Sequence, residues 1–280
     1  MARDTSFSYS FLVLPDEQRE AIGLVWDFCR AVDDAVDEAP DETTATVEIG
    51  KWRAEVVRLF GADAPLTLQG QRLKPVVSAF SLSRTPFYDL VDGVEMDLRH
   101  KRYQTFDELS GYCRRVASTV GLICIEIFGA RDSRSKDYAF NLGLALQLTN
   151  IIRDVAVDLE NGRVYLPQED LVRFGVTEAD LRVGKVTVPI SHLLAHQCQR
   201  ARQFYTAAAQ AMPHADAHRL VAAEIMGGIY FEILQRIERR GFDVFTEVIR
   251  VPKVVRARIA FSIWARGQLA ALGYRLFSRA

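Results

Sequence analysis

The stretch GLALQLTNIIRDVAVDLENGRVYLP, residues 143–167, carries an apolar and a polar stripe at helical spacing. The apolar stripe is Leu144, Leu148, Ile151, Ile152 and Val155. The polar stripe is Gln147, Asn150, Arg153, Asp154 and Asp158. Asp154 and Asp158 are one helical turn apart, so their carboxylates point the same way. The stretch therefore predicts an amphipathic helix with a paired acidic site.

This acidic pair has two interpretations. Two like charges one turn apart repel each other unless a cation lies between them. Mg²⁺ suits that place, because it takes oxygen ligands and keeps substrate phosphate in its coordination shell. The alternative is a solvated helix face on which Asp154 and Asp158 form a chance pair. This helix alone favours neither interpretation.

A second acidic pair occurs near the N-terminus, where residues 21–38 read AIGLVWDFCRAVDDAVDE. Asp33 and Asp37 are again one turn apart, with Asp34 beside them. Arg30 precedes Asp34 by one turn. Two helices, each with an Asp-x-x-x-Asp pair and a nearby arginine, would make a symmetric clamp for a metal-bound diphosphate. The second copy of the pattern favours a metal site over a solvated face.

The segments around both acidic pairs resemble the squalene/phytoene synthase family of head-to-head prenyltransferases. The resemblance runs from Ser6 to about Trp264 and covers SFSYSFLVLP, FCRAVDDAVDE, EMDLRHKRY, YCRRVASTVGL, QLTNIIRDVAVDLENGRVYLP and IYFEILQRIERRGFDVF. It is closest to the bacterial presqualene diphosphate synthases of the hopanoid pathway. It implies the isoprenoid-synthase helical fold, in which helices surround a central cavity with the aspartate motifs at its mouth.

The chain is predicted to form one all-α domain, residues 1–280. Its 280 residues are 49% apolar, enough for a large core, and no useful stretch alternates as a strand does. No Pro-, Gly- or Ser-rich linker divides it. Helices are predicted at about 15–38, 42–60, 69–81, 86–98, 105–129, 132–159, 167–173, 177–184, 186–211, 215–240 and 251–277.

Charge and cysteine content narrow the class of protein. The net charge of −1 and the pI of about 6.5 argue against nucleic acid as a partner. The four cysteines lack C-x-x-C spacing and are expected to be reduced, so neither a zinc site nor a disulfide framework is predicted. No signal peptide opens the chain, no run of eighteen apolar residues occurs, and the C-terminal anchor of eukaryotic squalene synthases is missing. A cytoplasmic protein is expected.

The C-terminal stretch leaves open a peripheral contact with the inner face of the membrane. Residues 256–266, RARIAFSIWAR, and the tail 269–277 combine arginines with large apolar residues. A basic amphipathic helix of this kind can lie in a lipid interface. The alternative, which such stripes more often indicate, is a last helix packed on the core. No oligomeric state is predicted.

The resemblance implies a prenyl-chain wall and a diphosphate wall. The residues implied to contact substrate are Ser6, Phe7, Phe11, Trp26, Arg30, Val116, Val120, Gln147, Asn150, Arg153, Arg163, Tyr165 and Tyr230. Ser6 and Arg30 are expected near the diphosphate, and Val116 and Val120 on the tunnel wall. Core packing is the alternative for the aromatic and branched residues. Loop capping is the alternative for Arg163.

The resemblance also implies the catalytic groups. The metal ligands would be Asp33, Asp37, Asp154 and Asp158, with Asn150 orienting or ligating one Mg²⁺, or Mn²⁺ in its place. Tyr112 would lie near the reacting carbons, where its phenol hydrogen-bonds diphosphate or helps to take a proton. The run Tyr112, Val116, Val120 repeats every four residues, which a core stripe would also explain.

Residues 87–103, FYDLVDGVEMDLRHKRY, combine an acidic face with a basic turn. The acidic residues are Asp89, Asp92, Glu95 and Asp97. A charge run of this kind usually indicates a solvated face, and that is the prediction here. The match to the family segment leaves room for Lys101 or Arg102 to reach phosphate.

The predicted reaction is the condensation of two farnesyl diphosphates to presqualene diphosphate. NADPH is not expected, because no G-x-G-x-x-G follows a strand and the opening and closing motifs resemble the presqualene-forming branch. Alternatives are a phytoene synthase that uses geranylgeranyl diphosphate and a full NADPH-dependent squalene synthase. A terpene cyclase or an inactive assembly subunit are alternatives of a different class. The retained acidic residues argue against the inactive subunit.

Overall fold

The computed structural model describes residues 10–99 and 102–277, with 269–277 described by their backbone alone. Within these ranges the chain is helical, and the extended pairing is an isolated parallel bridge between Arg102 and Val164. The all-α class predicted from the sequence is confirmed. Among the described helices, none has the length and hydropathy that crossing a membrane requires.

The helices follow one another through short connections. In chain order they are α1 (Asp16–Asp37), α2 (Glu42–Phe60), α3 (Leu68–Ala79), α4 (Thr85–Arg99), α5 (Phe106–Cys113), α6 (Thr119–Ile127), α7 (Arg134–Arg153), α8 (Val155–Glu160), α9 (Gln168–Phe174), α10 (Glu178–Arg182), α11 (Val188–Ala211), α12 (Val221–Arg239) and α13 (Lys253–Phe277). A π-helical segment, Arg114–Ser118, joins α5 to α6.

Local sequence signals account for several helix ends. Asp41 accepts a hydrogen bond from the Thr44 amide at 2.7 Å and so caps the start of α2. Gly129 and Gly241 follow α6 and α12 with φ of +73° and +64°, a conformation that glycine adopts without steric cost. Pro167 directly precedes α9, where its missing amide removes no hydrogen bond.

The helix predicted at 105–129 is interrupted by the π-helical segment. A Cβ atom on Gly93 of α4 would lie 2.7 Å from the Arg115 Cβ, and one on Gly143 of α7 would lie 2.6 Å from the Ser118 Cα. Two neighbouring helices thus press against the wide turn at positions where only glycine fits. The spacing of apolar residues carries no signal for this change of helix type.

The helix predicted at 132–159 is divided at Asp154, whose backbone (φ −100°, ψ 12°) separates α7 from α8. The Asp154 amide still donates to the Asn150 carbonyl at 2.8 Å. The Asp158 amide donates to the Asp154 carbonyl, also at 2.8 Å. The backbone therefore keeps helical hydrogen bonds from Asn150 to Asp158 across the break.

The helix predicted at 215–240 starts late, at Val221. The residues before it form turns around Asp216, whose buried carboxylate accepts hydrogen bonds from the Arg131 and Asp132 amides at 2.6 and 2.7 Å. This carboxylate thus satisfies backbone donors at the entrance to α7. That tertiary role explains why helical spacing alone misplaced the start of α12.

Helix α7 lies between the two hydrophobic clusters of the core. Its N-terminal half contributes Tyr138, Ala139 and Leu142 to a cluster built mainly with α1–α4 and α6. Its C-terminal half contributes Leu144, Leu148, Ile151 and Ile152 to a cluster built mainly with α5, α8, α11 and α12. The apolar stripe predicted for this helix is therefore buried, and Gln147, Asn150 and Arg153 of the polar stripe line a cavity.

Candidate active site

An apolar cavity of about 380 Å³ lies between α1, α6, α7 and α12. Along α7 its lining changes from Tyr138 and Leu142 to Asn150 and Arg153. Along α1 the lining changes in the same way, from apolar side chains to Asp33. The cavity therefore has an apolar end and a polar end. Its volume falls in the range of small-molecule pockets, roughly 300–1,000 Å³.

A second cavity, of about 240 Å³, adjoins the polar end of the first. Asp33, Val116 and Gln147 line both cavities. The second cavity is further lined by Val36, Asp37, Val94, Asp97, Tyr112, Arg163 and Tyr165. A space suited to a hydrocarbon chain thus opens into one walled by carboxylates, phenols and an arginine.

Asp97 lines this polar cavity and is a candidate functional residue that the sequence prediction placed on a solvated face. Its carboxylate accepts hydrogen bonds from the Tyr112 phenol at 2.9 Å and the Tyr165 phenol at 2.8 Å. Burial raises the pKa of Asp97 to about 6, although both phenols and the Arg163 charge oppose the rise. Asp97 is thus an oriented acceptor whose pKa burial holds above its ordinary value.

The predicted solvated face of α4 is correct for two carboxylates and wrong for Asp97. Asp92 and Glu95 pair with Arg53 at the surface, the latter at 2.6 Å. A signal for Asp97 was present in the sequence, because Leu90, Val94 and Asp97 share one helical face and the first two are buried. A carboxylate that continues a buried apolar stripe indicates a side chain turned toward the interior.

Asp33 and Asp37 of α1 also line the polar cavity, which agrees with the shared helical face that their one-turn spacing indicates. Arg163 donates to the Asp37 carboxylate at 2.8 Å. The Asp33 side chain is open to the cavity solvent, yet protein atoms crowd around it. That crowding, followed by the charges of Asp97 and Asp37, raises the pKa of Asp33 to about 7. The like charges in this wall are therefore only partly compensated.

The second aspartate motif differs from the first, because its own arginine already binds one carboxylate. Arg153 donates to Asp154 from Nε at 2.8 Å and again from Nη2. Burial, with the Asp154 charge next, raises the pKa of Asp158 to about 7. Neither aspartate lines the two cavities, but the charges of Asp97 and Arg163 both influence Asp158. The motifs therefore share one electrostatic environment.

Asn150 carries an unsatisfied oxygen at the polar end of the apolar cavity. Its Oδ1 atom is buried and has no hydrogen-bond partner. The Asn150 side chain also hydrogen-bonds Tyr230, which interacts in turn with Arg153. A buried amide oxygen without a donor is costly, so this atom is well suited to a cation or to a donor on a ligand.

The donor set fits a metal that arrives with its substrate. Within residues 10–99 and 102–277, no group of three or more His, Cys, Asp or Glu side chains is close enough to hold an ion by itself. Mg²⁺ usually takes one or two carboxylates and completes its shell with water and substrate phosphates. Uncompensated carboxylates and the orphaned Asn150 oxygen match that kind of site.

Most predicted substrate residues line one of the two cavities. The apolar cavity is lined by Phe11, Trp26, Val116, Val120, Gln147, Asn150, Arg153 and Tyr230. The polar cavity is lined by Tyr112, Arg163 and Tyr165. The run Tyr112, Val116, Val120 therefore spans both walls, although the π-helical segment lies within it.

Other predicted residues lie elsewhere. The Arg30 side chain is exposed and lines neither cavity, so the structure does not bring it to the diphosphate wall predicted for it. Arg102 pairs with Glu178 and donates to the Gly162 carbonyl at 2.8 Å, which fixes the turn before Arg163. The predictions for Ser6, Phe7 and Lys101 concern positions outside the described residues.

Comparisons with known proteins agree with this geometry. The family model described as squalene/phytoene synthase matches residues 1–258. A phytoene synthase from Arthrospira platensis is 38% identical over 255 residues, which are 86% of this chain and 82% of that protein. Several chloroplastic phytoene synthases also match, and this chain spans 60–67% of their length.

Solved structures share the fold. Squalene synthase HpnC from Alicyclobacillus acidocaldarius is 30% identical with a TM-score of 0.76, and the match covers 85% of this chain and 89% of that one. A dehydrosqualene synthase solved with a ligand has a TM-score of 0.83 at 24% identity, covering 94% and 92%. The latter supports the isoprenoid-synthase fold alone.

Proposed function

This chain belongs to the squalene/phytoene synthase family of prenyltransferases, and from that premise we propose that it joins two allylic prenyl diphosphates head to head. The observation that carries the proposal is the pair of adjoining cavities, one apolar and one lined by carboxylates. The apolar space suits isoprenoid chains, and the polar space suits their diphosphates. The match to prenyltransferases supports this reaction over a single-substrate cyclase, and the retained aspartates argue against an inactive subunit.

The apolar cavity would hold the prenyl chains and exclude water from the allylic cation. Val116, Val120 and Leu142 offer the cation no nucleophile. Holding both chains in one cavity converts a bimolecular step into an effectively unimolecular one. Val116 lines both cavities, so the reacting carbons are expected beside it.

The polar cavity would stabilise the departing pyrophosphate. Mg²⁺, or Mn²⁺ in its place, held by Asp33, Asp37, Asp154, Asp158 and Asn150, would supply most of the positive charge that this departure requires. Arg163 lines the same space and adds a planar donor fork. Arg163 must loosen its bond to Asp37 for that role, and the exposure of Asp37 makes the exchange inexpensive.

Tyr112 and Asp97 would accept the proton that the substrate loses when the cyclopropane ring closes. Burial raises the pKa of Tyr112 well above its ordinary value, so the phenol stays protonated and donates. Asp97 accepts that hydrogen bond at 2.9 Å. Tyr112 can therefore take the substrate proton only as it passes its own to Asp97, which makes Asp97 the terminal acceptor.

The finer proposal concerns the substrate, where the two predictions from the sequence compete. The SFSYSFLVLP and GFDVF segments favour farnesyl diphosphate and release of presqualene diphosphate without NADPH. The 38% identity to a phytoene synthase favours geranylgeranyl diphosphate and phytoene. The 30% identity to a squalene synthase supports the farnesyl branch.

The test is a product assay with each diphosphate, with Mg²⁺, and with or without NADPH, read by mass spectrometry. Presqualene diphosphate that accumulates unchanged with NADPH supports the first prediction. Phytoene from geranylgeranyl diphosphate supports the second, and squalene formed with NADPH identifies a full squalene synthase. Prenyl alcohols or cyclised monomers as the sole products would overturn the head-to-head proposal.

A further inference from the structure

Helix α13 turns large apolar side chains toward solvent. Val254 is 80% exposed, Phe261 67% and Trp264 41%. Their spacing of seven and three residues places them on one helical face. The Phe261 and Trp264 rings lie 6.0 Å apart, so the stripe is continuous at this end. Surface helices normally present polar residues to solvent, whereas the outward face of α13 presents apolar ones.

The opposite face of α13 is already packed on the protein. Arg256 and Ile263 are each 7% exposed. A Cβ atom on Gly228 of α12 would lie 3.0 Å from both Ile259 and Ile263, which shows how closely the two helices approach. The predicted packing of this helix on the core is therefore correct for one face. Among residues 10–99 and 102–268 nothing covers the exposed stripe, so it is a surface separate from the packed face.

The charge of the C-terminal part sets it apart from the remainder. Residues 248–280 contain seven Lys or Arg and no Asp or Glu. Because the whole chain has a net charge of −1, residues 1–247 carry −8. Arg258 is exposed and lies one turn from Val254, beside the apolar stripe. The outward face of α13 thus combines apolar anchors with positive charge on an otherwise acidic protein.

We propose that this face docks on an anionic lipid bilayer. Val254, Phe261 and Trp264 enter the interface, while Arg258 contacts lipid phosphates. Aromatic and aliphatic side chains beside basic residues are the composition that binds such interfaces. A second copy of this chain is a poorer occupant, because a symmetric contact would bring the two basic faces together.

The docked membrane would lie one helix away from the prenyl cavity. Helix α13 packs on α12, and Ala223, Met226 and Tyr230 of α12 line the cavity on its other side. The surface is inferred from exposure and charge alone and does not depend on the reaction. Vesicle binding can therefore succeed or fail separately from catalysis.

The test is flotation of the full chain, without substrate, on vesicles of phosphatidylglycerol and phosphatidylcholine against vesicles of phosphatidylcholine alone. The anionic vesicles should bind the protein, and added salt should release it. Phe261→Ser combined with Trp264→Ser should abolish binding. Arg258→Glu should lower the partition coefficient by about tenfold or more, because it removes one positive charge near the anionic surface and adds a negative one.

A matched control carries Leu66→Ser and Val172→Ser, which remove two apolar side chains elsewhere that are at least as exposed. This control should bind vesicles as the unmodified protein does. Brominated lipid should quench the fluorescence of the unmodified protein and spare that of Trp264→Phe. Absence of binding to anionic vesicles, equal binding to neutral ones, or unaltered binding by the Phe261/Trp264 double variant would each overturn the proposal. Self-association through the stripe without vesicle binding would do so as well.

Discussion

Asp97→Asn is expected to make the metal-free protein more stable at pH 8 and much less active. In the folded protein burial raises the pKa of Asp97 from 3.8 to about 6. At pH 8 the fold must therefore keep ionised a carboxylate that ionises more readily in the unfolded chain. Asparagine has nearly the same shape and carries no charge, so it removes this cost while leaving an oxygen for one phenol.

The size of the effect follows from the pKa difference. A rise from 3.8 to about 6 corresponds to about 3 kcal/mol at most, and solvent access to the cavity reduces that figure to roughly 1–3 kcal/mol. This free energy already includes the effect of the hydrogen bonds from Tyr112 and Tyr165, because both bonds lower the pKa of Asp97. The melting temperature of the variant should rise by a few degrees at pH 8.

The gain should depend on pH in a defined direction. Because the folded pKa is the higher one, the favourable effect of protonated Asp97 is complete below about pH 4 and is lost as pH rises through about 6. Asp97→Asn and the unmodified protein should therefore converge in stability near pH 4. Turnover should fall by about 10²–10⁴, the usual contribution of a positioned proton acceptor.

The assay pairs thermal melts between pH 4 and 8 with product formation at pH 8. Asp92→Asn is the matched control, since Asp92 lies on the same helix and pairs with Arg53 at the surface. It should change neither turnover nor the pH dependence of stability by much. A destabilised Asp97→Asn at pH 8, or one with full turnover, would refute the assignment of Asp97 as a buried acceptor.

Three further outcomes are expected. Asp33→Asn should lower turnover by about 10²–10³ and weaken the response to Mg²⁺, whereas Asp34→Asn, whose side chain lines neither cavity, should be much milder in the same titration. The pKa values of Asp33 and Asp158, both about 7, predict that the melting temperature of the metal-free protein falls as pH rises through 7. Mg²⁺ with pyrophosphate should restore the melting temperature. A melting temperature that does not change with pH would count against the carboxylate cluster. Gly143→Ala should destabilise the fold by about 1–3 kcal/mol in denaturant titrations, because its Cβ would meet the backbone of the π-helical segment. The control Gly50→Ala, which has open space around it, should be neutral or stabilising.

Helical periodicity predicted the fold class and most helix positions, because buried and exposed faces leave a repeating pattern in the sequence. Two interruptions left no such pattern. The π-helical segment depends on the close approach of Gly93 and Gly143, which belong to other helices. The break at Asp154 keeps the same residue spacing as an uninterrupted helix. Both features arise from tertiary packing and local backbone geometry.

The aspartate motifs could be singled out in the sequence because the one-turn spacing of each pair places both carboxylates on one helical face, and their role as metal ligands stays a prediction. Asp97 was missed because its role depends on Tyr112 and Tyr165, which lie 15 and 68 residues away in sequence. Arg30 lies outside both cavities although it is close in sequence to Asp34, and its contact with diphosphate stays a prediction. Spacing within one helix predicts a shared face, but the direction of that face depends on the neighbours.

Whether two prenyl chains enter one product is tested most directly by label crossover. Equal amounts of unlabelled and fully deuterated prenyl diphosphate are incubated with the protein and Mg²⁺, and the products are separated by mass. Head-to-head condensation predicts a product with one labelled and one unlabelled chain as the most abundant species, which should be lost in Asp33→Asn. Products that carry only one kind of chain, labelled or unlabelled, would contradict the central claim.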